Sequence, residues 1–328
     1  MKRFHHSSRV ILSACFVAAS LLTTTCNTTG AYTFLSEHPF AFQLQEMNID
    51  ELAGSPYHFI VIDPSSDDSG RFTAADIGRL KASGKTVLAY LSIGEAESYR
   101  GYWQAEWNTS PPAWMGVENP DWEGNYKVRY WDTNWQGIIF NDGGTGSLDY
   151  ILDAGFDGVY LDIVDAYYYW GSDEAQDAGE SQPYNGGASQ STPSLRTNAD
   201  EMVDFIAALA AHARARSGYG QFIVCPQNAT NIIHDMSAGK LASWWNTIDA
   251  VGAEDTYHYG DADMNNPWNP QEDVLSNLDE YRDHDLEVYC IEYLSANRGA
   301  VIDRFFSAAS ERGFAYYAAD RELDTLRQ

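Results

Sequence analysis

Cysteine and positive charge are both scarce in this chain. Four cysteines occur in 328 residues. Cys15 and Cys26 fall near the amino terminus, leaving Cys225 and Cys290, each inside an apolar run (Phe222-Ile-Val-Cys225 and Val288-Tyr-Cys-Ile291). A disulfide framework needs more cysteines and a zinc site needs tighter clustering, so two buried free thiols are expected. Lys and Arg number 20 against 47 Asp and Glu, a formal charge of −27. Such a field repels nucleic acid and anionic membranes and favours approach of cations, although a salt-adapted surface has the same composition. Beyond the amino terminus no apolar run is long enough to span a bilayer. The Gly-x-Gly-x-x-Gly and Walker patterns are absent, which argues against nucleotide use, and no EF-hand loop or zinc motif occurs. Neither a cofactor nor a metal is expected.

The amino terminus is a separate segment. Lys2, Arg3 and Arg9 precede an apolar stretch from Val10 to Leu22, and small and polar residues follow through Gly30. That is the form of a secretory signal peptide. Cys26 stands where a lipoprotein cysteine would be acylated, but Thr23 and Thr25 fit that signal poorly. The expectation is a signal over 1–30, one folded domain over 31–328, and a secreted or envelope-associated product.

Within that domain short apolar segments alternate with helical patterns. Strands are expected at Ala41–Leu44, Phe59–Asp63, Thr86–Leu91, Gly158–Ile163, Gln221–Cys225, Ala250–Glu254, Glu287–Glu292 and Phe314–Ala318. Thr73 with Asp76 forms a capping-box start and Gly84 a stop; Asn198 with Glu201 starts a helix ending near Gly218. In that helix Met202, Val203, Phe205, Ile206 and Leu209 recur at helical spacing and form a core stripe. Further helices are expected at 270–285 and 301–312. Eight strands joined by helical crossovers predict an α/β fold, a parallel (β/α)8 TIM-type barrel, with an open doubly wound sheet as the competing arrangement.

The long connections follow strands three, four and six, at the end where barrel sites are built. Residues 171–195 are rich in Gly, Ser, Gln and Asn and are expected to form a mobile loop. The stretch 99–135 is crowded with rings, including Trp103, Trp107, Trp114, Trp122, Tyr126, Tyr130, Trp131 and Trp135. Planar rings beside polar groups stack on sugars, so this density favours a carbohydrate groove.

Acids collect at the same end: Asp63, Glu95, Glu97, Asp162, Asp165, Glu254, Asp255, Glu292 and Asp320. Crowded carboxylates raise at least one pKa and leave a protonated acid beside an ionised one, the pairing that glycoside hydrolysis needs. On a period-2 strand Asp162 shares its face with Tyr160, whereas Asp165 lies on the other and belongs to the departing loop, as a cap or a group behind the site. Ala250 and Gly252 share the face of Glu254, so space is expected in the barrel beneath it. His258, alone in a loop, is read as solvated rather than as a base.

Four stretches carry a resemblance. Val87-Leu-Ala-Tyr-Leu-Ser-Ile-Gly-Glu-Ala-Glu-Ser-Tyr-Arg100, Gly124-Asn-Tyr-Lys-Val-Arg-Tyr-Trp-Asp132, Gly155-Phe-Asp-Gly-Val-Tyr-Leu-Asp-Ile-Val-Asp-Ala-Tyr167 and Cys225-Pro-Gln-Asn228 resemble glycoside hydrolase family 114. That family comprises endo-α-1,4-polygalactosaminidases and proteins formerly labelled cysteinyl-tRNA synthetase-related. The likeness runs in order over residues 38 to 320. The synthetase label finds no His-x-Gly-His or Lys-Met-Ser-Lys-Ser motif here. The resemblance implies a (β/α)8 barrel that hydrolyses α-1,4-linked galactosamine polymers.

It also implies a catalytic pair at Asp162 and Glu254, with Asp162 as nucleophilic or electrostatic carboxylate and Glu254 as general acid/base. Gln43, Asp63, Tyr90, Glu95, Tyr130, Asp132, Asn228 and Glu292 are the expected substrate-contacting residues. The expected partner is a polysaccharide, a cationic amino-sugar polymer, and not nucleic acid. A non-catalytic carbohydrate-binding barrel of the envelope is the competing function. The segment Asn141 to Gly146 and the loop at 171–195 depart from the family pattern, which bears on subsite shape.

Overall fold

The computed structural model describes residues 40–66, 70–170, 172–179, 195–216 and 218–327. The expected signal peptide, Cys26 and most of the loop expected at 171–195 lie outside the described residues. Eight parallel strands appear in chain order: β1 (Ala41–Gln43), β2 (Phe59–Ile62), β3 (Thr86–Ser92), β4 (Gly158–Asp162), β5 (Ile223–Pro226), β6 (Ala250–Glu254), β7 (Glu287–Tyr293) and β8 (Ala315–Ala319). Each lies within two residues of its expected bounds. β1 to β5 form one ladder and β6 to β8 a second. A parallel bridge between Gln227 and Gly252 joins them, supported by Asp249 N–H donating to Val224 O at 2.9 Å. On the far side β8 lies beside β1. There Phe40 meets Tyr289 edge-on at 4.8 Å and Tyr317 at 6.0 Å, and Leu44 N–H donates to Leu323 O at 3.0 Å. The fold is α/β with the parallel strand arrangement of a (β/α)8 barrel.

Strands covered on both faces need unbroken apolar runs, and Ile60, Val61 and Ile62 are fully buried in succession. Crossover helices lay one apolar stripe on the strands: α1 (Ile49–Gly54), α2 (Ala74–Ala82), α3 (Ser147–Ala154), α4 (Leu195–Ala215), α5 (Ala238–Thr247), α6 (Glu272–Asp283) and α7 (Gly299–Glu311). The Thr73–Asp76 box caps α2 as expected, with Thr73 N–H on Asp76 Oδ2 at 2.9 Å. The α4 stripe is buried as expected. Its start differs: the helix begins at Leu195, so Asn198 caps nothing. It is buried within the first turn, where its amide donates to the carbonyls of Tyr167 (3.2 Å) and Trp170. A burial demand there overrides the cap signal.

The ring-rich connection after β3 is a folded insertion. Glu95–Glu97, Asn125–Val128 and Met115–Glu118 form an antiparallel sheet in that spatial order. Its tryptophans mostly contact one another: Trp103 with Trp107 (5.3 Å), Trp107 with Trp114 (5.2 Å) and Trp114 with Trp135 (5.0 Å). Most of the ring density is therefore the insertion's own core. Only Tyr99, 64% exposed, and Trp122, 52% exposed, present largely open rings there.

Candidate active site

The carboxyl ends of the strands open into a cleft of about 790 Å³. β4 delivers Asp162 and β6 delivers Glu254 to its floor, and both line it. Chain direction changes sharply at three strand ends: Ile163 (φ +55°), Asn228 (φ +63°) and Asp255 (φ +49°) are left-handed. Asn tolerates that conformation, but a β-branched Ile does so only against strain of about 1–3 kcal/mol. Gly94 packs directly on this turn; a Cβ there would lie 2.1 Å from Ile163 O.

Each carboxylate has its own holders. Asn228 clamps Glu254 twice: its Oδ1 accepts the Glu254 N–H at 3.0 Å, and its Nδ2 donates to Glu254 Oε2 at 3.1 Å. Tyr293, the last residue of β7, donates its hydroxyl to Glu254 Oε1. Tyr90 of β3 donates to Asp162 Oδ2, and the Ile163 N–H to Asp162 Oδ1 at 2.8 Å. Burial first, and then the charge of Glu254, push Asp162 up to about 8, against the pull of the Tyr90 hydroxyl. A shift in that direction favours the protonated form of Asp162 at neutral pH.

The space expected beneath Glu254 is occupied. A Cβ on Gly252 would lie 1.9 Å from the Tyr160 hydroxyl, so the glycine is small because the tyrosine fills the barrel there. Tyr160 is fully buried.

A model of glycoside-hydrolase family GH114 matches residues 23–328. The chain belongs to GH114. It is 36% identical over 300 residues to an uncharacterised protein of Methanocaldococcus jannaschii, covering 88% of this chain and 77% of that one. It is also 36% identical over 274 residues to an uncharacterised protein of Deinococcus radiodurans, covering 83% and 76%. Among solved structures it is similar to the glycoside hydrolase domain of PelA from Pseudomonas aeruginosa, with a TM-score of 0.62 over 88% of this chain and 96% of that one. Sequence identity to that domain is 17%, so this likeness concerns the fold.

In the GH114 cleft, Asp63, Tyr90, Glu95 and Asn228 line the wall with the acid pair. Asp63 is paired with Arg100 at 2.6 Å, and burial pushes it up to about 6 against that guanidinium. Glu95 is fully buried and held by Lys127 (2.7 Å), Asn119 (2.9 Å) and Asn125 (3.4 Å). Asn228 is occupied by Glu254 rather than aimed at a sugar hydroxyl.

The other four expected contacts sit elsewhere, which corrects that part of the sequence reading. The Gln43 amide donates to Gln45 O and Asp324 O, both at 3.1 Å, tying β1 to the chain after β8. Tyr130 is fully buried and donates to Asn198 O at 2.8 Å. Asp132 caps the helix Thr133–Ile139 through the Asn134 N–H at 2.8 Å. Glu292 is fully buried and accepts the N–H groups of Tyr257 (2.6 Å) and His258 (3.1 Å), fixing the loop after β6. His258 is itself buried rather than solvated, with Nδ1 2.9 Å from Asn266 O.

Three residues of the site escaped the sequence reading. Tyr293 follows the expected end of its strand by one residue. Arg100 pairs with both Asp63 and Glu97. Arg321 lies 4.3 Å over the Tyr293 ring, 5.5 Å from the Trp122 ring and 3.5 Å from Asp255. The alternation that makes Glu254 face the cleft also selects Tyr293, two residues beyond its ladder partner Ile291. Arg100 ends the first of the four family-like stretches, whereas nothing in the sequence signals Arg321.

Proposed function

We propose that this glycoside hydrolase is secreted and cleaves α-1,4-linked galactosamine-containing polysaccharide internally, using Asp162 and Glu254. The observation that carries the reading is two carboxyl groups on one cleft floor, one raised in pKa by burial and by the charge of the other. Glycosidic cleavage uses such a pair. The roles follow the electrostatics and reverse the sequence reading: Asp162, which keeps its proton, protonates the leaving oxygen. Glu254, held by Asn228 and Tyr293, acts as the carboxylate that attacks the anomeric carbon or activates water. The open rings of Tyr99 and Trp122 at the rim suit stacking on sugars, and an acidic chain draws in a polycation.

Sizing the products of a deacetylated α-1,4-galactosamine polymer tests this. A ladder of oligomers appearing early is expected. Binding without any cleavage would favour the carbohydrate-binding alternative, and release of single sugars alone would contradict internal cleavage. Secretion is checked by the amino-terminal sequence of exported protein, expected to begin near residue 31.

A further inference from the structure

Strand alternation places Asp162 and Asp165 on opposite faces, but β4 ends at Asp162 and the left-handed Ile163 breaks the alternation. Both acids consequently line the same cleft. Asp165 precedes the short helix Ala166–Tyr169, yet its side chain makes no capping hydrogen bond. Its place is fixed: the Tyr168 N–H binds Asp165 O at 2.9 Å, and Gly94 packs against the Ile163 carbonyl.

Hydrogen bonds hold Asp162 and Glu254, and most of the remaining acids of this region are matched to cations. Arg100 holds Asp63 and Glu97; Lys127, Asn119 and Asn125 hold Glu95. Arg321 faces Asp255, and Glu322 is exposed to water. Lys127 acts on Asp165 electrostatically, but its ammonium sits at 2.7 Å from Glu95. Asp165 is thus a partly buried cleft carboxylate that forms no ion pair among the described residues, and such a group calls for a cationic donor.

We propose that Asp165 is the specificity-determining residue of this cleft and binds the ammonium group of an unacetylated amino sugar seated against Asp162. The inference rests on the hydrolase reading above and adds the group that selects its substrate. An ammonium gives Asp165 a charge-assisted hydrogen bond. An N-acetyl group offers one neutral N–H and a bulky carbonyl in its place.

Binding measured by calorimetry in the Glu254→Gln protein tests this without turnover, using α-1,4-galactosamine and α-1,4-N-acetylgalactosamine tetramers. Tighter binding of the amino tetramer is expected. Adding Asp165→Asn should weaken the amino tetramer by about 10- to 100-fold and leave the acetylated one unchanged. Equal losses for both, or none for the amino tetramer, would overturn the proposal. If the double variant does not fold, the preference within Glu254→Gln decides: equal affinity for the two tetramers overturns the role of Asp165. Hydrolysis of both polymers by the unaltered enzyme alongside that equality leaves the hydrolase reading standing, whereas failure to bind or cleave either removes both.

Discussion

At the residue scale, the proposed division of labour between two carboxyls rests on their surroundings. Burial first, and then the charge of Glu254, push Asp162 up to about 8, so with Asp162 as the proposed acid kcat/KM should fall as pH rises through that value. A pH–rate profile checks the alkaline limb; a limb centred near pH 5 would contradict the assignment. The leaving group separates the roles. Asp162→Asn should lose roughly 10²- to 10⁴-fold on polymer, yet recover much of that on an aryl glycoside whose leaving group needs no proton. Glu254→Gln should stay inactive on both. Tyr293→Phe removes one holder of Glu254 and is expected to lower kcat about tenfold with little change in KM, since the lost contact is to the reacting carboxylate and not to the ground-state sugar.

Among elements, the turn after β4 concentrates strain and close packing. Gly94→Ala would drive a Cβ into the Ile163 carbonyl, and Gly252→Ala into the Tyr160 hydroxyl. Overpacking of this kind costs about 1–3 kcal/mol, and more where the obstacle is backbone, so Gly94→Ala should lower the unfolding midpoint further than Gly252→Ala does. Urea titrations compare the two.

The eight strands were legible because each is a short apolar run bounded by turn residues, and Asp162 and Glu254 because they end such runs. The direction of Asp165 was not, since Ile163 takes a left-handed φ that a β-branched residue does not favour locally, in a turn packed closely on Gly94. The insertion after β3 was legible as ring-rich but not as a sheet: one of its two ladders joins Glu95–Glu97 to Asn125–Lys127 across a long loop, and its tryptophans serve a private core. Asn198 carries a cap signal that tertiary hydrogen bonds to Tyr167 and Trp170 override.

For the whole molecule, the accumulation of buried acids has a stability consequence. Glu292 and Asp162 are pushed up to about 8, and Asp63, Asp165 and Asp255 to about 6, in each case chiefly by burial. The folded state therefore binds these protons more tightly than the unfolded chain, where such groups titrate near pH 4. Their contribution to stability is fully present below about pH 4 and is lost as pH rises through 6 and then 8. Thermal midpoints should be higher at mildly acidic pH and decline toward pH 8, a trend that the self-repulsion of the −27 chain reinforces. A midpoint rising steadily from pH 5 to pH 8 would contradict this.

Every role above depends on the proposed cleavage of a glycosidic bond by Asp162 and Glu254 together. Its most direct measurement is reducing-end release from α-1,4-galactosamine polymer by the unaltered enzyme, Asp162→Asn and Glu254→Gln, with folding of each verified by its thermal midpoint. Steady release is expected from the first and at least a hundredfold loss in each folded variant. Undiminished release by either variant would contradict it.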